Sequence, residues 1–415
     1  MPVGKNHAMD RYADQAPHRV RFEWGASGAA AVAPHVVVCA VVDVLSFTTC
    51  VSVAVDAGIA IHPHRWGREG AAERAAAVGG VVAVGREEGE GMPRAVSLSP
   101  ASLRAAATWA HDIVLPSPNG ATLSAVAAEA GATVVAASLR TARVVAEHLA
   151  AVLAADPTGS AAVAVIACGE RWPEDTLRPA LEDLVGAGAV LDALAALVGD
   201  GALSPDARAA AAAYRGVSAD LATTLGDTAS GRELRDRGYP DDIAIAAEVD
   251  ASLLVPVLRE GRFVAMVGGV ELRRATADDD AQMAEVWLRS FAGALPTVTR
   301  AHPDDDVRRW VRDVLVAGGR TWVAVDGGRV VGLLALRPGW VEQLYVDPAA
   351  QGRGIGAALL DLAKARNPGG LQLWTFQINA GARRFYAREG FVEVEHTDGA
   401  ANEEREPDVR LTWSP

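Results

Sequence analysis

VVVCAVVDVLSFTTCVSVAVDAGIAIH, residues 36–62, decides the reading of the first half of this chain. A β-branched run ending at Val42 gives way to a stretch with helical spacing, and a second short apolar run follows at 58–62. Such a strand–helix–strand unit builds a helix-covered parallel sheet. The unit recurs further along. Apolar runs at 81–84, 111–115, 132–137 and 161–168 predict more strands, and helices are predicted over 46–57, 68–78, 119–130 and 140–154. From Pro173 to Asp250 the spacing turns helical, with breaks near 186, 204, 216 and 227, so a helical subdomain is expected to close the unit. Residues 252–266 predict a terminal hairpin turning at Glu260 and Gly261.

Gly268 and Gly269 end that pattern, and a flexible connection is expected there. The second pattern reads strand 270–275, helices 279–292 and 304–316, and strands TWVAV, VVGLLAL and WVEQLYV. A helix (353–366), strand LQLWTF, a helix (380–388) and strands around 391–396 and 408–413 complete it. The expected organisation is a tail over 1–19, a mostly parallel α/β domain with a helical subdomain over 20–267, and an α+β domain over 268–415. A length of 415 residues agrees, since single cores usually take roughly 100–200.

Composition narrows the chemistry. A net charge of -13 argues against a nucleic-acid surface, which needs clustered cations. Lys5 and Lys364 are the only lysines, and neither sits where a Schiff base or a phosphate-binding loop needs one. Cys39, Cys50 and Cys168 lie in apolar segments, as buried thiols of a reducing cytoplasm would. No apolar leader opens the sequence and no run reaches ~18 apolar residues, so a cytoplasmic protein with no membrane partner is expected.

In the second half, Gln351-Gly352-Arg353-Gly354-Ile355-Gly356 lies between a strand and an amphipathic helix. Glycines let backbone N–H groups converge, and a helix start adds partial positive charge, which together make a pyrophosphate cradle. Leu344-Tyr345-Val346-Asp347-Pro348 precedes it; Asn379, Arg384-Phe385-Tyr386 and Gly390-Phe391 follow. Over roughly 270–414 this resembles the GNAT family of acetyl-CoA-dependent N-acyltransferases, which implies a GNAT-type α+β fold. The resemblance implies that the amides of Gln351, Gly352, Arg353, Gly354, Ile355 and Gly356 hold the coenzyme pyrophosphate. Leu344 and Val346 would pair with the pantetheine, Asn379 would contact the coenzyme, and Tyr386 would protonate the departing thiolate. Glu342 is the candidate base for an amine acceptor whose identity stays open, with a solvent-facing strand residue as its other reading. Trp340, Trp374 and Phe376 are expected to fill the sheet faces.

In the first half, polar residues cluster at strand ends, where ligands of open α/β sheets bind. They are Asp43, Arg86 with Glu87, Ser117-Pro118-Asn119-Gly120, and Cys168-Gly169-Glu170-Arg171, followed by Glu174 and Asp175. Carboxylates with an arginine and a helix-start Asn-Gly turn suit Mg²⁺ and a small anionic phosphorylated substrate. Across about 20–266 the blocks VVDVLSFTT, GREE, LSPASL, SPNGAT, AASLRTA, ACGE and PEDTLRPALEDLVGAGAV resemble the 2-phosphosulfolactate phosphatase family of Mg²⁺-dependent hydrolases. The resemblance implies catalytic and metal-holding roles for Asp43, Glu174 and Asp175. Substrate contacts would come from Arg86, Ser117, Asn119, Gly120 and Ser138. The chain departs from the family at Ser46, where arginine is usual, at Leu98, where asparagine is usual, and over 115–118, where a threonine-rich run is usual.

The expected protein is therefore a two-domain fusion of a Mg²⁺-dependent phosphatase and an acetyl-CoA-dependent N-acyltransferase, with a homo-oligomer left open. The alternative is a first domain that binds an anion without catalysis and regulates the transferase. His62 and His64 are expected in a surface loop rather than on a metal, and Cys168 as a structural thiol.

Overall fold

A computed structural model describes residues 12–65, 69–89 and 91–415. Residues 1–11 of the expected tail and position 68 of the expected helix 68–78 lie outside them. The chain divides into two compact units, ending at Val264 and beginning at Ala265.

The first unit contains β1 (Val20–Trp24), β2 (Val38–Val42), β3 (Ala60–Arg65), β4 (Val81–Val82), β5 (Asp112–Ser117), β6 (Thr133–Ala137) and β7 (Val163–Ala167). Short strands β8 (Glu170–Arg171) and β9 (Leu177–Arg178) follow, then β10 (Val255–Arg259) and β11 (Arg262–Val267), whose residues from Ala265 on belong to the second unit. Strands β1-β7-β2-β6 form one parallel set, and β3-β5-β4 another. The hairpin β10–β11 bridges them: Val257 pairs with Val135 of β6, and Phe263 with Ile61 of β3. Every residue of β2 and β7 is buried, as continuous apolar runs require in a sheet covered on both faces. The hairpin turns at Glu260 and Gly261, both at positive φ.

The expected helices appear as Phe47–Asp56, Ala71–Val78, Gly120–Glu129 and Ala142–Ala155. Strand β1 was not foreseen. It alternates apolar Val20, Phe22 and Trp24 with Arg21 and Glu23, the pattern of an edge strand, and it joins the sheet only through β7. The break expected near 186 is absent, because the helix Leu181–Val198 runs straight through it. Gly186 and Gly188 serve packing instead: a Cβ at Gly186 would strike the Val44 side chain, and one at Gly188 the Ala210 carbonyl of the helix Pro205–Val217. The helices Leu221–Asp227, Ala229–Asp236 and Pro240–Ala246 complete the helical region. His62 is not in a loop; it lies buried in β3, 2.9 Å from Asp112 Oδ1.

The second unit adds β12 (Val270–Arg274), β13 (Thr321–Asp326), β14 (Arg329–Arg337), β15 (Trp340–Val346), β16 (Leu371–Phe376), β17 (Val392–His396) and β18 (Asp408–Trp413). Their order is β12-β13-β14-β15-β16-β18-β17, antiparallel except between β15 and β16. The helices Asp280–Ala294 and Ile355–Arg366 pack on this sheet, and the helix Asp304–Trp310 continues as a π-helical turn, Val311–Val316. Gly268 and Gly269 are not an open connection. With φ of 52° and 79° they form the tight turn pairing Val267 with Val270. Trp374, expected to fill a sheet face, is 41% exposed.

Candidate functional site

Asp43 leaves the buried strand β2 and is itself buried. Its Oδ1 accepts from Phe47 N at 3.1 Å and its Oδ2 from Gly120 N at 3.0 Å. Gly120 suits this approach, since a Cβ there would overlap the Phe47 ring and lie 2.9 Å from Asp43 Oδ2. Asp183, in the first turn of the helix Leu181–Val198, makes a matching pair: Oδ1 accepts from Val44 N and Oδ2 from Gly169 N, both at 2.8 Å. The two aspartates thus tie together the chain leaving β2, β5 and β7. Glu170 accepts from Asn119 Nδ2 at 3.1 Å. Glu182 is 2% exposed, and its Oε1 has no hydrogen-bond partner among the described residues.

These four carboxylates lie within each other's field. Burial pushes the Asp43 carboxyl up to about 6, against the two amides that favour its charge, and the Glu182 charge adds to the rise. Burial, then the Asp43 charge, pushes Glu170 up to about 7. Asp183 is raised well above the ordinary carboxylate range by burial first and by Asp43 and Glu182 next. A buried set of like charges is costly unless protons or a cation neutralise it.

Arg86, at the start of a short helix, donates from Nη2 to Ser46 Oγ at 2.8 Å and contacts Asp242 Oδ2 at 3.0 Å. Asp242, fully enclosed, also accepts from Ser99 Oγ at 2.5 Å and from Ala101 N at 3.3 Å. A cation therefore stands beside Ser46 although the residue at 46 is not one. Ser117, at the end of β5, is buried with no partner for its Oγ among the described residues. Ser138 is fully buried, its N–H donating to Thr141 Oγ1 at 3.0 Å.

Asp43, Asn119 and Gly120 are thus brought together through Glu170 and the Gly120 amide. Glu174 and Asp175 are not in this set: they lie exposed in the β8–β9 hairpin, where Arg171 holds Asp175 at 2.5 Å. Polar residues of a turn between two-residue strands face water, whereas Glu182 and Asp183 enter with a buried helix. Reading the sequence missed Glu182, Asp183 and Asp242. An acidic pair opening a helix looks like ordinary dipole compensation, and only its setting before the apolar run LVGAGAV hinted otherwise.

Among the described residues, no three His, Cys, Asp or Glu side chains converge so as to hold a metal ion by themselves. Mg²⁺ does not need three, because it keeps several waters and binds through one or two carboxylates plus substrate phosphate. The crowded carboxylates and the unpartnered Glu182 oxygen fit such a cation.

In the second unit Gly352 and Gly354 adopt φ of 79° and 78°, turning the chain into the helix Ile355–Arg366, whose first N–H groups lack intrahelical acceptors. Gln351 donates from Nε2 to Val346 O at 3.3 Å. Arg353 reaches back with Nη1 to Asp326 Oδ2 and Nη2 to Gly268 O, both at 2.6 Å, pinning the loop between two hairpin turns. Strands β15 and β16 pair only at Trp340 and Gln372, so Leu344 and Val346 pair with β14 alone. Tyr386, on the helix Ala380–Arg388, is buried against Phe385 and Phe391, and burial pushes its phenol up. Asn379 caps that helix, accepting from Ala382 N at 3.0 Å. Glu342 is exposed on β15, 2.9 Å from Arg337 Nε.

A carboxylate cluster at the strand ends of an α/β sheet thus lies in the first unit, and a glycine turn beside a parallel strand pair joined at a single register position lies in the second. The chain belongs to the 2-phosphosulpholactate phosphatase family, whose profile matches residues 29–261, and it carries an acetyltransferase (GNAT) domain matched over 317–393. It is 31% identical over 125 residues to the peptidyl-lysine N-acetyltransferase YiaC of Escherichia coli, covering 30% of this chain and 84% of that one. An uncharacterized N-acetyltransferase of Archaeoglobus fulgidus is 31% identical over 136 residues, covering 29% of this chain and 91% of that one. The mycothiol acetyltransferase of Beutenbergia cavernae is 31% identical over 182 residues, covering 40% of this chain and 54% of that one. Among the described residues no helix is long and apolar enough to cross a membrane.

Proposed function

We propose that the first unit is a Mg²⁺-dependent phosphatase releasing phosphate from a small anionic hydroxy-acid ester such as 2-phosphosulfolactate, and that the second is an acetyl-CoA-dependent N-acyltransferase. The observation that carries the first reading is the buried carboxylate set at the ends of β2, β5 and β7, with Glu182 Oε1 unpartnered among the described residues. When bound there, Mg²⁺ supplies charge neutralisation of the phosphoryl oxygens and a positioned water. Asp43 and Asp183 fix the surrounding loops through backbone amides. Arg86, oriented by Asp242 and beside Ser46, receives the anionic end of the substrate, and the Ser117 hydroxyl donates to it. Exclusion of water by the enclosed site strengthens each of these contacts.

In the second unit the carrying observation is the glycine turn at 352–354 beside the unpaired flank of β15. Acetyl-CoA brings the thioester. The amides of 351–356 hold its pyrophosphate, and the free edge at Leu344 and Val346 pairs with the pantetheine amides. Tyr386, kept protonated by burial, donates its phenolic proton to the departing thiolate. Glu342 takes a proton from the amine, directly or through water, because a protonated amine cannot attack a thioester. The three buried thiols support a reducing, cytoplasmic setting. A phosphate-release screen on phosphorylated hydroxy acids with and without Mg²⁺, alongside calorimetry with acetyl-CoA, tests both halves. Phosphate release from none of them with Mg²⁺ refutes the first reading, and absence of acetyl-CoA binding the second.

A further inference from the structure

We infer that Glu182, with Glu170 as its companion, supplies the carboxylate oxygens that face the Mg²⁺ ion of the first unit, a refinement that rests on the metal-dependent reading above. The four carboxylates differ in how their oxygens are engaged. Both oxygens of Asp43 accept backbone N–H groups, from Phe47 and Gly120. Both oxygens of Asp183 do the same, from Val44 and Gly169. These four bonds give each aspartate a role in holding loops through one backbone N–H on each oxygen. Glu170 is engaged through Oε2 by the neutral amide of Asn119.

Glu182 stands apart. It is 2% exposed, its Oε1 accepts no hydrogen bond, and no arginine, lysine or histidine pairs with it among the described residues. A carboxylate oxygen buried without donor or counter-charge is among the most costly groups a fold can carry, so a native site holding one is built for an absent partner. A cation suits that place, because the Glu182 charge acts on three further carboxylates, Asp43, Glu170 and Asp183, while Arg86 and Arg178 act only on the first two of these. It must also accept few protein ligands, because no three acidic or histidine side chains converge among the described residues. A hard divalent ion that keeps most of its waters and takes one or two carboxylates plus a phosphate oxygen meets both conditions, whereas Zn²⁺, with its three or four protein ligands, does not. Ser117 Oγ, equally buried and unpartnered among the described residues, ends β5 two residues before Asn119, the donor to Glu170, and supplies a hydroxyl for the phosphate.

The test is titration calorimetry of the full chain with MgCl2 alone, with circular dichroism to verify folding. Glu182→Gln is expected to weaken Mg²⁺ binding at least tenfold, and Glu170→Gln at least threefold. Glu174→Gln, in the exposed hairpin, should bind within twofold of the parent. If Glu182→Gln does not fold, Glu182→Asp is read instead; it keeps the charge, draws it back by one methylene and should weaken binding at least threefold. Parental Mg²⁺ affinity in the folded Glu182 variant, or a larger loss from Glu174→Gln, overturns the assignment while leaving a metal-dependent unit standing. A parent chain that takes up no Mg²⁺ overturns the metal-dependent reading itself.

Discussion

Glu170→Gln should stabilise the metal-free protein above neutral pH, although it alters a residue of the candidate site. The carboxyl of Glu170 rises from an ordinary 4.5 to about 7 on folding, chiefly through burial and next through the Asp43 charge. A folded value above the unfolded one means that the folded state holds the proton more tightly. Stability from this group is therefore fully present below about 4.5, falls as pH rises through the interval, and is lost above about 7. The full difference amounts to at most about 3 kcal/mol, less whatever water screens from a partly exposed carboxyl. Glutamine has the same shape, still accepts from Asn119 Nδ2, and carries no charge to desolvate. With EDTA present, the variant should gain up to about 3 kcal/mol over the parent at pH 8 and almost nothing at pH 4.5. Urea unfolding followed by circular dichroism at the two pH values reads the difference. Millimolar Mg²⁺ at pH 8 should then reverse the order, by stabilising the parent more than the variant. Equal effects of the substitution at both pH values, or a variant less stable than the parent at pH 8 in EDTA, would refute the electrostatic argument.

Asp43→Asn should lower phosphate release at least tenfold with the fold retained, because the amide keeps one acceptor for Phe47 N or Gly120 N and loses the other; an unchanged rate in a steady-state assay contradicts this. Gly354→Val should abolish acetyl-CoA binding in calorimetry, since a β-branched residue at φ 78° is strained and must move the loop, whereas Arg353→Ala, which only frees the loop from Asp326 and Gly268, should weaken binding without abolishing it. Gly188→Ala should cost about 1–3 kcal/mol of unfolding free energy through overlap with the Ala210 carbonyl, offset by up to about 1 kcal/mol of helix propensity, and thermal melting measures the balance. A fragment beginning at Ala265 should bind acetyl-CoA better than one beginning at Val270, because the latter loses the strand residues 265–267 and the Gly268 carbonyl that holds Arg353.

The strand and helix series was legible because it is written in periodicity. Runs such as VCAVV in β2 and VAVIA in β7 are apolar throughout, and a strand covered on both faces demands that. What escaped was written in something else. Gly186 and Gly188 look like helix breakers in isolation, and only the neighbours they admit, Val44 and the Ala210 carbonyl, explain them. Gly268 and Gly269 look like a flexible joint, yet two successive positive φ values are what a tight hairpin turn needs. Local composition cannot separate a glycine required by a neighbour from one required by a dihedral angle or by freedom, because all three are satisfied by the same missing side chain.

For the site, the strand ends were legible and the helix was not. Asp43, Ser117, Asn119 and Gly120 follow directly from apolar strands, so their polarity stands out against a buried background. Glu174 and Asp175 stood out for the opposite reason, as acidic residues near a strand end, and the β8–β9 hairpin turns them to water. Burial distinguishes the two cases, and burial is a property of the assembled fold. Glu182 and Asp183 sit at the start of a helix, where carboxylates are common for reasons of dipole alone, and the helix then packs against β2, β6 and β7 and carries them inside. That same packing explains why Asp183 can bridge Val44 and Gly169, residues far apart in sequence: both follow the ends of neighbouring parallel strands, β2 and β7, and a helix N-terminus laid against those ends brings one carboxylate within reach of both amides.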